Sequence, residues 1–131
     1  MRCVVVTPEE TVLDVESNFV ALPLFDGEIG IGEHHTPLVG RLGCGELRIK
    51  EKEKPASYYV ENGFVEVLNN TVTLLTNRAV PISEIDLEKS TALLDSALKK
   101  TTKNEEQLDL KEQNISAARA QVRLARKAKE V

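Results

Sequence analysis

The chain has 131 residues, a formal net charge of −4 and 41% apolar side chains. That is the size of one ordinary domain, or of a small domain with an appendage, and it allows roughly two-thirds of the unfolded surface to be buried. The modest charge and near-average composition exclude a disordered chain and a nucleic-acid binder with a uniformly basic field.

The charge is unevenly placed. Residues 1–82 carry 7 basic and 12 acidic side chains, whereas residues 83–131 carry 10 basic and 9 acidic. Two functional halves are expected, with the boundary there. Cys3 and Cys44 stand alone without a CxxC pair, which argues against a disulfide framework or a thiolate zinc site and leaves both thiols reduced and partly buried. No charged-then-apolar leader follows Met1, and no apolar run approaches the roughly 18 residues a membrane span needs. Any membrane association is expected to come through a partner.

Up to residue 82 the apolar residues come in short, β-branched runs: Cys3-Val4-Val5-Val6, Phe19-Val20-Ala21-Leu22, Tyr58-Tyr59-Val60, Phe64-Val65-Glu66-Val67 and Val72-Thr73-Leu74-Leu75. Thr7-Pro8, Asp26-Gly27, Asn62-Gly63 and Asn69-Asn70 punctuate them, and Asn69-Asn70 suits the positive φ of a tight hairpin. This predicts a β sandwich or barrel of about ten short strands. Residues 50–55 are too charged to bury and predict a solvated hairpin tip.

The most unusual polar stretch is residues 26–38. Gly27, Gly30 and Gly32 release the backbone, Pro37 stiffens the end, and His34 and His35 lie between. A shaped contact loop is expected. Adjacent histidines in an extended segment point to opposite sides and no third histidine exists, so a metal site is not expected. The glycine spacing is not that of a dinucleotide fingerprint, because Pro37 and not a helix follows.

After Pro81 the apolar period changes to that of a helix. Glu84 and Asp86 suit a helix N-terminus, and Leu87, Leu94 and Leu98, with Leu93 and Ala97, mark one face of a helix over 84–100. Asn104 and Gln107 have the form of a cap for a second helix reaching residue 129, and the pair should form an antiparallel hairpin. Leu108, Ile115 and Val122 repeat every seven residues, but the flanking positions are mostly alanine: Ala117, Ala118, Ala120, Ala125 and Ala128. Burial yields about 0.8 kcal/mol per CH₂, so docking through that face is shallow. A mobile regulatory arm and a fixed hairpin both fit.

Arg119, Arg123 and Arg126 share a helical face, with Lys127 beside them. They complement the helix macrodipole or meet an anionic partner: an acidic protein, a nucleotide phosphate or a nucleic acid. Asn114-Ile115-Ser116 has the form of a glycosylation acceptor but lies inside a predicted helix. No nucleophile with a base, carboxylate pair or metal cluster suggests catalysis.

The ordered series Thr7-Pro8, Leu22-Pro23, Asp26-Gly27-Glu28-Ile29-Gly30-Ile31, His35-Thr36-Pro37-Leu38, Leu42 to Ile49 with Gly45, Tyr59 to Val67, and Asn70-Thr71-Val72-Thr73-Leu74-Leu75 with Ala79 resembles the epsilon subunit of bacterial and plastid F-type ATP synthases. The resemblance implies a non-catalytic rotor subunit of the central stalk. Its sandwich, residues 1–82, meets the gamma subunit and the membrane ring of c subunits. Its helical hairpin, residues 83–131, extends to inhibit ATP hydrolysis. It further implies a c-ring contact at Glu28, Gly30, Gly32 and His35, and a basic face of Arg119, Arg123 and Arg126 toward the catalytic alpha and beta subunits. Attachment would be peripheral, at the cytoplasmic face of a bacterial plasma membrane or the equivalent organelle face, with protons more expected than sodium as the coupling ion. No resident cofactor and no nucleic-acid partner are implied. Some relatives bind ATP on the folded hairpin through Ile/Leu-Asp-x-x-Arg-Ala and two arginines four apart. Here Ile85 and Asp86 match, Lys89 and Ser90 replace Arg-Ala, and Arg119 and Arg123 match. An ammonium in place of a planar guanidinium weakens bidentate phosphate recognition, so the implied ATP binding is weak.

Overall fold

The computed structural model describes residues 1–51 and 54–129. It divides into two compact units, Met1–Pro81 and Ile82–Val131. Unit one holds β1 (Arg2–Val6), β2 (Thr11–Glu16), β3 (Phe19–Leu24), β4 (Gly27–Gly32), β5 (Leu38–Glu51), β6 (Lys54–Leu68) and β7 (Thr71–Pro81). Hydrogen bonding links them in the order β2-β1-β7-β6-β5-β3-β4, antiparallel except for β1 beside β7.

The sandwich therefore has seven strands among the described residues, fewer than the sequence suggests, because three of them are long. β5, β6 and β7 keep one register along their ladders, yet the residues facing the core change phase midway. Core positions pass from Leu42 to Leu47 in β5, from Val60 to Val65 in β6, and from Leu74 to Ala79 in β7. A strand alternates its faces strictly, so a change of phase in three paired strands at one ladder level marks a bend. Each central strand thus serves both layers of the sandwich.

Asn62-Gly63 makes the bend and is not a turn. Asn62 has φ +54° and Gly63 φ +111°, and the Thr76 hydroxyl accepts the Glu61 N–H at 3.1 Å and lies 3.0 Å from the Glu61 carbonyl. The core between the layers is formed by Cys3, Val5, Val20, Leu22, Ile31, Leu42, Leu47, Ile49, Val60, Val65, Val67, Val72 and Leu74. Asn69 and Asn70, at φ +50° and +58°, close the β6–β7 hairpin with both central residues left-handed, as expected for a two-residue turn. Of the hairpin tip predicted at 50–55, Lys52 and Glu53 lie outside the described residues.

Unit two begins with a 3-10 turn, Ile82–Glu84, followed by α1 (Leu87–Lys99) and α2 (Glu105–Lys129). The first helix starts three residues later than predicted because Asp86 caps it, its carboxylate accepting the Lys89 N–H at 3.1 Å. Asn104 accepts the Gln107 N–H at 2.8 Å, and Gln107 returns a carbonyl oxygen to the Lys103 N–H at 2.9 Å. That is a capping box displaced by one residue. The seven-residue seam is buried only at Val122, while Leu108 is exposed and Ile115 half-buried. Burial in α2 falls instead on Ala117, Ala118, Ala120, Val122, Leu124 and Ala125. At the turn end Leu93, Leu98, Leu108 and Leu110 all stay exposed.

Candidate functional site

Three surfaces concentrate the unusual chemistry. The first is the segment 26–38, which is not a loop throughout. Residues 27–32 are the edge strand β4, with Ile31 in the core and Ile29 packed against it, while Glu28, Gly30 and Gly32 take the other face. The Phe19 ring of β3 lies over Gly30, so close that a Cβ there would sit 2.7 Å from the ring. Glu28 reaches across β3 to form an ion pair with Arg48 of β5. His35 lies beyond the strand's far end, its Nδ1 2.7 Å from the Thr36 carbonyl, a contact that places the ring proton on Nδ1. Glu28 and His35 are thus set at opposite ends of β4 and not gathered in one loop. The true loop, residues 33–37, is tied down where the His34 N–H donates to Asn70 Oδ1 at 2.8 Å. Among the described residues no cluster of three or more His, Cys, Asp or Glu is arranged to hold a metal.

The second surface is a groove of about 510 Å³ in the helical unit, lined by Leu94 of α1 and by Arg119, Val122, Arg123, Arg126 and Lys127 of α2. The spacing of three and four residues brings the three predicted arginines together over an apolar floor. Ile85, Asp86 and Lys89 are not among its lining residues, and the Asp86 carboxylate is engaged as a helix cap. Its geometry suits an anion with an apolar part.

The third surface was not found from sequence. On the outer face of the central strands Val39 is 75% exposed, Phe64 60%, Leu75 54% and Leu68 46%, and Phe25 at the β3–β4 turn is 67% exposed. Register makes the patch continuous: Phe64 faces Leu75 across β6–β7, and Val39 faces Glu66 across β5–β6. The signal was present as consecutive apolar pairs, Leu38-Val39, Phe64-Val65 and Leu74-Leu75, where a half-solvated strand would alternate. A contiguous exposed patch of this kind marks an interaction site.

The thiols do not contribute. Burial pushes Cys3 up to about 12, and burial and then Glu61 push Cys44 above its ordinary value. Neither is poised as a thiolate nucleophile.

A small sandwich that leaves an apolar face in solvent and carries a helical hairpin with an arginine-lined groove has the build of a protein-docking subunit. Residues 1–82 match the family described as ATP synthase, Delta/Epsilon chain, beta-sandwich domain. The chain is 44% identical over 126 residues to the ATP synthase epsilon chain of Rhodopirellula baltica, covering 96% of this chain and 98% of that one. It is 37% identical over 120 residues to the epsilon chain of Desulfitobacterium hafniense strain Y51, covering 92% and 90%. A chain in the Euglena gracilis mitochondrial ATP synthase, in the OSCP/F1/c-ring structure, superposes with a TM-score of 0.78 at 24% identity, covering 98% of this chain and 80% of that one. The chain belongs to the ATP synthase epsilon-chain family, and is a structural subunit of that complex rather than a catalytic one. Among the described residues no helix is long and apolar enough to cross a membrane.

Proposed function

We propose that the chain is a rotor subunit of the central stalk, coupling the catalytic head to the membrane c ring and restraining ATP hydrolysis through its helical hairpin. The observation that carries this reading is the exposed apolar face of β5, β6 and β7, since a solvent-facing patch of Val39, Phe64, Leu68 and Leu75 is stabilised when a protein partner covers it. The gamma subunit takes that face. The c ring meets the β4 side, where Glu28, Gly30, Gly32 and His35 lie, and the arginine groove turns toward acidic surfaces of the alpha and beta subunits. Attachment to the membrane is peripheral and through these partners, at the cytoplasmic face or its organelle equivalent. Adding the chain to a catalytic head that holds gamma tests the reading: binding and a reduced hydrolysis rate are expected, and no change in assembly, coupling or hydrolysis would overturn it.

The groove favours a second reading, a nucleotide-sensing hairpin. Arg119 and Arg123 supply donors for phosphates, while Leu94 and Val122 offer an apolar floor for a base. Isothermal titration with millimolar ATP and Mg²⁺ decides it. Heat that disappears in Arg123→Ala supports the reading, and absence of heat removes it.

A further inference from the structure

Two charged residues sit within the apolar outer face, and each leaves the other alone. In the β5–β6 ladder Arg41 faces Phe64 and Val39 faces Glu66, so Arg41 and Glu66 hold diagonal positions on one exposed surface. Side chains so placed are about 7–8 Å apart at their backbones and within reach of each other. Yet among the described residues the ion pairs include neither of them. The Arg41 guanidinium lies instead over the Phe25 ring, 5.3 Å from its centroid. The Phe25 N–H donates to the Arg41 carbonyl at 3.0 Å, so the backbones that carry ring and guanidinium are held side by side.

This arrangement has a chemical meaning. A guanidinium held over an aromatic ring by a cation–π contact still has N–H donors to offer a carboxylate, which arginine takes bidentately. Arginine and aromatic residues within an apolar patch also have the composition of interface anchors. Beside Glu66 a depression of about 170 Å³ opens among Val39, Phe64, Thr73 and Leu75. An apolar patch alone gives a partner little reason to prefer one seating, whereas opposite charges at fixed positions reject every seating that does not oppose them.

We propose that Arg41 and Glu66 set the register in which the gamma subunit seats on this face. A carboxylate of gamma pairs with Arg41, a basic side chain of gamma pairs with Glu66, and an apolar side chain fills the depression between Phe64 and Leu75. The inference rests on the reading that gamma occupies this face. An anionic lipid surface is the less suitable occupant, because Glu66 repels its headgroups.

The test measures the affinity of the full chain for a catalytic head that contains gamma and lacks this chain. Arg41→Glu and Glu66→Lys are each expected to weaken binding roughly tenfold or more, and Val39→Asp to abolish it. Unfolding midpoints matching the unsubstituted chain establish that the variants fold, and Arg41→Gln and Glu66→Gln replace any that do not. Loss with Val39→Asp but unchanged affinity with both charge variants overturns the inference and leaves gamma docking intact. Unchanged affinity with Val39→Asp overturns the docking reading itself, and the inference with it. Sedimentation of the chain with vesicles of phosphatidylglycerol and phosphatidylcholine, lost in Arg41→Glu, makes the face a lipid surface and also overturns it.

Discussion

A methyl group added at Gly63 would meet the Leu75 carbonyl oxygen at 1.9 Å, at a φ of +111° that side chains rarely adopt. Because the obstacle is backbone of the neighbouring strand, it cannot swing aside. Gly63→Ala is expected to lower stability by about 2–4 kcal/mol, read as the urea unfolding midpoint. Gly32→Ala is the contrast: nothing lies within 4 Å of where the added Cβ would sit and the φ is ordinary, so a change within about 0.5 kcal/mol is expected. Gly30 is the intermediate case, where the Phe19 ring must move. Gly30 and Gly32, proposed for c-ring contact from sequence, therefore differ in their local demands. The pH response also belongs at this scale. Burial raises the Cys3 thiol from 9.0 to about 12, so between those values the unfolded chain releases a proton the folded one keeps. Stability from this group is intact below pH 9 and falls as pH rises toward 12. Unfolding midpoints should fall more steeply over that window than in Cys3→Ala; equal slopes would mean the thiol is not protected.

Between elements, the caps define where helices begin. Asp86→Ala and Asn104→Ala each remove one accepted N–H, and each is expected to cost about 1 kcal/mol of helical stability, followed by ellipticity at 222 nm during urea unfolding. Asp86 illustrates how legibility depends on the competing signal. The acidic residues near the start of the first helix were readable as an N-terminal cluster, but choosing between Glu84 and Asp86 as the start depends on the backbone path, which includes the turn Ile82–Glu84. In β4 the alternation of Ile29 and Ile31 signalled a strand, and the glycine content outweighed it in the sequence reading. The ring of Phe19 supplies the packing that Gly30 lacks, a compensation from a neighbouring strand that local sequence does not reveal. The Asn62-Gly63 pair had the right conformation and the wrong consequence. Left-handed backbone serves a bend as well as a turn, and the pairing of β6 with both neighbours decides between them. The arginine face was legible from its three-and-four spacing alone, because a helix fixes which residues meet. The outer sheet face was signalled only by its consecutive apolar pairs, which do not decide exposure, since that of Val39 or Phe64 depends on what packs over it.

Across the whole molecule, charge and apolar surface are divided. The first 82 residues are acidic overall and carry the apolar face, while the remainder is near neutral with its arginines gathered in one groove. The fold class and the family were readable from order and spacing along the chain, and the continuity of the exposed apolar face emerged from the strand register. If, as proposed, the sandwich docks and the hairpin restrains turnover, cutting the chain between them should separate these actions. A chain ending at Ser83 is expected to bind the catalytic head with gamma as the full chain does, without lowering hydrolysis. A regulatory coupling of about 1–3 kcal/mol corresponds to a change of roughly 5- to 150-fold. Arg119→Ala combined with Arg123→Ala should give part of the same relief while leaving binding unchanged, as measured by hydrolysis rate and co-sedimentation. The most direct measurement is the ATP hydrolysis rate of one reconstituted head with gamma, taken without this chain, with the full chain and with the chain ending at Ser83. A rate lowered severalfold by the full chain and restored by the truncated one, with both bound, is the predicted result. An unchanged rate with the full chain bound, or equal inhibition by the truncated chain, would contradict it.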